Sequence, residues 1–267
     1  MIVHSPRRRR DIRQVHRSLA ALAALASLIA PAVAVVGTGD GADPMVARHL
    51  VLVVGSRSTY CSGVALGRDL VLVAAHCVMP RNDYMIIEAD AAREWLFKSI
   101  ATITRHPDFD IKALLGHRAT ADVALLKLAA PLPATIVPAQ LAAPRSVVAG
   151  DSLVVAGYGI AVRADGSTGG TVRSATLVDN GRPGTFEVRL DDPARSRARA
   201  AKGVCTGDSG APVFVEQSRQ FAMIGVVSWS SGPSLSDGCA GLTGVTPLAR
   251  YHEWIVETAR KMGSPLQ

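Results

Sequence analysis

A chain of 267 residues, 48% of them hydrophobic, can bury one large all-β core or two smaller cores that share an interface. Its formal charge of +7 points toward nucleic acid or an anionic membrane until the charge is located. Six arginines (Arg7, Arg8, Arg9, Arg10, Arg13 and Arg17) and a single acid, Asp11, lie within residues 1–34, so the remainder holds 23 basic and 21 acidic residues, a net of +2 that excludes a nucleic-acid partner held by bulk charge.

The basic start leads into an apolar run over 19–30 and then Ala32-Val33-Ala34, small residues where signal peptidase requires them. This predicts a signal peptide over 1–34, cleavage before Val35, and a secreted or periplasmic product with no stable membrane anchor. The competing reading is an uncleaved anchor over the 18 uncharged residues 19–36, and Pro31 and the small-residue site oppose it. Four cysteines, Cys61, Cys77, Cys205 and Cys239, suit an oxidising compartment, and their count alone leaves three pairings open. No CxxC or Cys/His cluster calls for zinc, and no acidic loop after Tyr84 has the spacing of a calcium site. Neither metal nor cofactor is expected.

Short apolar or alternating runs between turn signals predict strands at 49–55, 63–66, 70–74, 84–88, 100–105 and 123–128. A second set follows at 152–157, 171–178, 185–190, 211–215 and 222–228. Between the sets, residues 131–144 hold four prolines and almost no charge, which suits an extended connector. One helix is predicted over 249–261, where Tyr251, Trp254, Ile255 and Met262 recur at three- and four-residue spacings. Many short strands and one helix indicate an all-β barrel or sandwich architecture.

Three segments carry chemistry: Leu72-Val73-Ala74-Ala75-His76-Cys77, then Ala121-Asp122-Val123-Ala124, then Gly203-Val204-Cys205-Thr206-Gly207-Asp208-Ser209-Gly210. A serine hydroxyl is a poor nucleophile at neutral pH and needs a base in reach, with a third group fixing that base's tautomer. The chain order His, Asp, Ser is wrong for an α/β-hydrolase, and Gly207-Asp208-Ser209-Gly210-Ala211 lacks the second glycine of G-x-S-x-G. Together with Gly157-Tyr158-Gly159, Gly210-Ala211-Pro212-Val213 and Ser228-Trp229, these segments make the chain from Val35 onward resemble the chymotrypsin-like (trypsin-fold) serine proteases.

The resemblance implies two six-stranded antiparallel barrels packed together with a C-terminal α-helix, the first spanning about 35–145 and the second about 146–267. It assigns His76, Asp122 and Ser209 as catalytic residues of a secreted serine endopeptidase, with the backbone N–H groups of Gly207 and Ser209 as the oxyanion hole. It pairs Asp208 with the amine freed at Val35, so that signal cleavage itself yields active enzyme. It pairs Cys61 with Cys77 and Cys205 with Cys239, as structural staples. His106, before Pro107, matches a family position without a catalytic role, and Asp108 and Asp110 read as solvated turn residues.

The implied specificity pocket is built from Gly203, Ser228, Trp229, Ser230 and Gly244. Its floor, Gly203, carries no acid, so Lys or Arg specificity loses its basis and an apolar or small side chain is expected. Asp237 could supply a charge, because the loop over 230–238 departs from the family length. Arg195, Arg197, Arg199 and Lys202 form either a solvated loop or a basic rim for acidic partners. Protein or peptide substrates are the expected partners, with a protein inhibitor as a further one. The alternative function is a catalytically silent binding module on the same fold.

Overall fold

Strand β3 (Leu70–Val73) is apolar at every position because both of its faces are buried. Val71 and Val73 point into a barrel, while Leu70 and Leu72 pack outward against the second half of the chain. This computed structural model describes residues 41–89, 95–116, 118–181, 187–194, 202–217, 220–232 and 238–266. The expected signal segment, Val35, Arg195, Arg197, Arg199 and Asp237 lie outside the described residues.

The first barrel joins β1 (Leu50–Gly55), β2 (Thr59–Gly67), β3, β4 (Tyr84–Ala89), β5 (Trp95–Arg105) and β6 (Ala124–Leu128). Every pairing is antiparallel, and the ring closes in the order β1-β2-β3-β6-β5-β4. A short strand β7 (Gln140–Leu141) follows within the proline-rich connector and lies parallel to a strand of the second barrel. That barrel joins β8 (Ser152–Gly157), β9 (Arg173–Asp179), β10 (Val188–Asp191), β11 (Pro212–Gln217), β12 (Gln220–Ser230) and β13 (Thr243–Pro247). The order is β11-β8-β9-β10-β13-β12, and β11 pairs with β12 to close it. Two six-stranded antiparallel barrels are therefore present, as the resemblance implied, with β7 added to the edge of the second.

Three buried clusters follow from this layout. Val51, Val53, Val71, Val73, Ile86 and Leu126 fill the first barrel, and Leu153, Val155, Leu177, Leu190, Val213 and Val245 fill the second. The third lies between them, where Leu50, Leu70, Leu72 and Leu125 meet Phe214, Met223, Val226 and Ile255. The helix α3 (His252–Lys261) supplies Ile255 and Ala259 to that shared core and exposes Glu257 and Lys261, paired at 2.8 Å. Its predicted first turn is instead a 3-10 turn over Leu248–Arg250. Two further short helices, α1 (Pro44–Ala47) and α2 (Ile111–Leu115), were not anticipated, since each is a single turn held by an aspartate cap, Asp43 and Asp110. Strand β13 was also missed: its Gly and Pro residues read as turn signals. Among the described residues no helix is long and apolar enough to cross a membrane.

Phe214 is wholly buried in the shared core, its ring 5.9 Å from the imidazole of His49 and 6.2 Å from Phe221. Phe214→Ala is expected to lower the unfolding free energy by about 3–5 kcal/mol, measured by denaturant titration, and Phe214→Leu by clearly less.

Candidate active site

Asp122 sits just before β6, wholly buried, and a carboxylate in that position must be hydrogen-bonded to stay charged. Its Oδ1 accepts from the His76 amide at 2.9 Å. Its Oδ2 accepts from His76 Nδ1 at 2.7 Å and from the Ser228 hydroxyl at 2.5 Å. A carboxylate only accepts, so Nδ1 carries the proton, and in the neutral ring Nε2 is left with its lone pair. His76 belongs to a 3-10 turn, η1 (Ala75–Val78), that directly follows β3, and its side chain keeps 20% of its surface exposed. Ser228, a residue expected along the pocket edge, turns its hydroxyl to Asp122.

Ser209 lies in the turn before β11, and the first barrel holds that turn in place. The Ser62 amide donates to the Ser209 carbonyl at 2.9 Å. The Ser62 hydroxyl donates to the Gly207 carbonyl at 2.9 Å and accepts from the Tyr158 amide at 2.9 Å. Ser62 itself is fully buried and follows Cys61, whose bridge to Cys77 anchors the His76 turn to the same strand β2. The second bridge joins Cys205 to Cys239. Cys61, Cys77 and His76 cluster closely, but the two sulfurs are bonded to each other and offer no thiolate to a metal.

Gly207 has φ +94°, and a methyl group there would stand 2.5 Å from the Tyr60 ring, so only glycine fits. No described residue accepts from the amides of Gly207 or Ser209. Asp208 between them points inward and is almost wholly buried. Its Oδ1 accepts from the Gly159 amide at 2.8 Å and its Oδ2 from the Cys205 amide at 2.9 Å. Burial pushes its pKa up to about 6, against the pull of the two amide bonds and the charge of Arg173.

The remaining expected residues are placed as follows. A methyl group on Gly203 would lie 2.8 Å from the Ala240 Cα, so these two backbones pack directly. The Trp229 indole lies over Gly244 and donates from Nε1 to Glu187 Oε2 at 2.9 Å, while Arg189 Nε donates to Glu187 Oε1 at 2.8 Å. Ser230 donates from its hydroxyl to the Gly238 carbonyl at 3.1 Å. Lys202 donates its amide to Asp192 Oδ2 at 2.7 Å. His106 packs edge-on against Tyr251 and at a tilt against Trp254, and burial lowers its pKa. Asp110 caps α2. Sequence reasoning missed Ser62, whose signal was only its place beside Cys61, and it missed the bond from Ser228 to Asp122.

Residues 37–255 match the protein family described as Trypsin. The chain belongs to the trypsin family. It is accordingly a serine-type peptidase, and its substrates are proteins or peptides. This trypsin-family chain is 27% identical over 212 residues to kallikrein-11 of Homo sapiens, covering 75% of the chain and 72% of the relative. It is 26% identical over 215 residues to snake venom serine protease rhinocerase 4 of Bitis rhinoceros, covering 78% and 81%. Among solved structures, mouse neuropsin, titled a serine protease expressed in the limbic system, superimposes with a TM-score of 0.64 at 21% identity, covering 82% of this chain and 97% of that one. A mutant of human heparin binding protein gives 0.63 at 21%, covering 80% and 92%. At such identity the two structures speak for the fold alone.

Ser62→Ala strands the Gly207 carbonyl and the Tyr158 amide without their shared partner. The unfolding free energy is expected to fall by about 2 kcal/mol, with faster amide hydrogen exchange in the turn over 205–210. Gly159→Ala, whose methyl group would fall 2.4 Å from the Asp208 carboxyl carbon, is expected to displace that carboxylate and to cost about 2–3 kcal/mol in the same titration.

Proposed function

We propose that residues 35–267 form a secreted or periplasmic endopeptidase, released from a signal peptide over 1–34, that cleaves peptide bonds through an acyl-enzyme. The observation that carries this reading is the buried Asp122 carboxylate, 2.7 Å from His76 Nδ1 and shared with Ser228. It supports a ring whose Nε2 is the free base. The Ser209 hydroxyl gives its proton to Nε2 as Oγ bonds to the substrate carbonyl carbon. The oxygen that gains charge faces the amides of Gly207 and Ser209. His76 then passes the proton to the leaving amine, and a water repeats the sequence to release the acid.

Signal cleavage before Val35 supplies the direct ion-pair partner that Asp208 lacks among the described residues, and this pair holds the amides of Gly207 and Ser209 in position. No zymogen segment then stands between export and activity. An uncharged Gly203 supports a preference outside Lys and Arg. A net charge of +2 beyond residue 34 supports protein rather than nucleic-acid partners, with a protein inhibitor among them and no membrane anchor after cleavage.

Intact mass of the exported protein, before and after a serine-directed fluorophosphonate, tests both halves of this proposal. One adduct on a chain starting at Val35, absent from Ser209→Ala, is the expected result, and kcat/KM of Ser209→Ala should fall by about 10⁴-fold or more. A correctly started chain that takes no adduct points to the silent binding module.

Asp208 gives a second test through the pH dependence of stability. A carboxyl whose folded pKa of about 6 exceeds the ordinary 3.8 adds stability that is full below 3.8 and is lost as pH rises through about 6. An amine at Val35 reverses this by favouring the carboxylate. The precursor should therefore lose stability between pH 3.8 and about 6, a slope removed by Asp208→Asn, and the chain starting at Val35 should lack that slope.

A further inference from the structure

In a planar trans peptide the N–H and the C=O point in opposite directions, so a hydrogen bond to a carbonyl also fixes where the following amide points. The Thr206 carbonyl accepts from the Ile160 amide at 2.9 Å, which turns the Gly207 amide the other way. The Asp208 carbonyl accepts from the Ala211 amide at 2.9 Å, which does the same for the Ser209 amide. The carbonyls that alternate with these, Gly207 and Ser209, accept from the hydroxyl and the amide of Ser62, each at 2.9 Å. With the Cys205 carbonyl accepting from the Asp208 amide at 3.0 Å, every carbonyl from 205 to 209 is held.

Of these bonds only the one to Gly207 comes from a side chain. The Ser62 hydroxyl accepts from the Tyr158 amide at 2.9 Å, so its single proton is left for the Gly207 carbonyl. Tyr158, Gly159 and Ile160 thereby give consecutive amides to the turn: the first through Ser62, the second to Asp208 Oδ1 at 2.8 Å, and the third to the Thr206 carbonyl. Every donor in this set lies at Ser62 or beyond it in the chain. None is the amine at Val35.

We infer that Ser62 is a positioning residue that keeps the Gly207 and Ser209 amides facing the substrate oxygen without help from the Val35 amine, so that the unprocessed chain already carries a reactive Ser209 and signal cleavage raises an activity it does not create. This rests on the endopeptidase reading above. The amine acts on the Asp208 side chain, whereas the Ser62 hydroxyl acts on the backbone carbonyl beside it. The two holds use different atoms of the turn, so removing one makes the amides depend on the other.

The test compares the rate at which a serine-directed fluorophosphonate modifies Ser209 in two forms of the protein. One is the full chain, kept from export and with both disulfides confirmed by intact mass; the other is the exported chain starting at Val35. The full chain is expected to react within about tenfold of the Val35 chain. Ser62→Ala, whose expected loss of stability leaves the chain folded, should slow the Val35 chain by about tenfold and the full chain by about 100-fold or more. With peptide amides as substrates, the loss in the Val35 chain should fall on kcat and leave KM little changed. Ile255→Ala, which takes at least as much stability from the shared core, is the control and should leave these rates as they are. An inert full chain beside a reactive Val35 chain overturns the inference and leaves the endopeptidase reading standing. Equal slowing of the two chains by Ser62→Ala, a loss confined to KM, or the same loss in Ile255→Ala overturns the part assigned to Ser62. If neither chain reacts, the reading and the inference fall together.

Discussion

The buried Asp122 carboxylate constrains everything around it. A buried carboxylate without partners is costly, so its three hydrogen bonds are a condition of the fold. Two of the donors belong to His76 in the first barrel, and the third is Ser228 at the end of β12 in the second. Neither barrel alone satisfies the group. The site therefore exists only where the two halves dock.

Docking is driven by a different force in the same place. Leu70, Leu72 and Leu125 face away from their own barrel and meet Phe214, Met223 and Val226, which face away from theirs. Apolar burial between the barrels is non-directional and sets no distances by itself. The polar contacts laid over it do. Ser62 reaches from β2 to the Ser209 and Gly207 carbonyls, and Asp208 is clasped by the amides of Gly159 and Cys205. Short segments at the ends of β3 and β6 present His76 and Asp122, whereas a turn whose glycine has positive φ presents Ser209, so that turn is the part that needs so many ties.

Much of this was readable in the order of residues. The His76, Asp122 and Ser209 segments are legible because the nucleophile, base and orienting acid that the proposed reaction requires tolerate few substitutes. Strand β8 was placed to the residue, since Ser152 and Gly157 bound a short apolar run. Strand β13 was not, because Gly244 and Pro247 break the pattern that a strand normally shows, and its neighbours on both sides carry the pairing instead. The single-turn helices capped by Asp43 and Asp110 are too short to produce any periodicity.

By itself the sequence determined which groups are available: an alternating or doubly apolar pattern that commits the chain to strands, and the few side chains able to do acyl transfer. It did so because periodicity and functional-group chemistry are local properties. The tertiary structure alone decided that Ser228 serves Asp122, that Ser62 holds the turn bearing Ser209, and that Thr243 rather than Gly244 pairs with Ser230. Each of these depends on the register or contact of segments far apart in the chain, and a slip of one residue reverses the face without altering any local pattern.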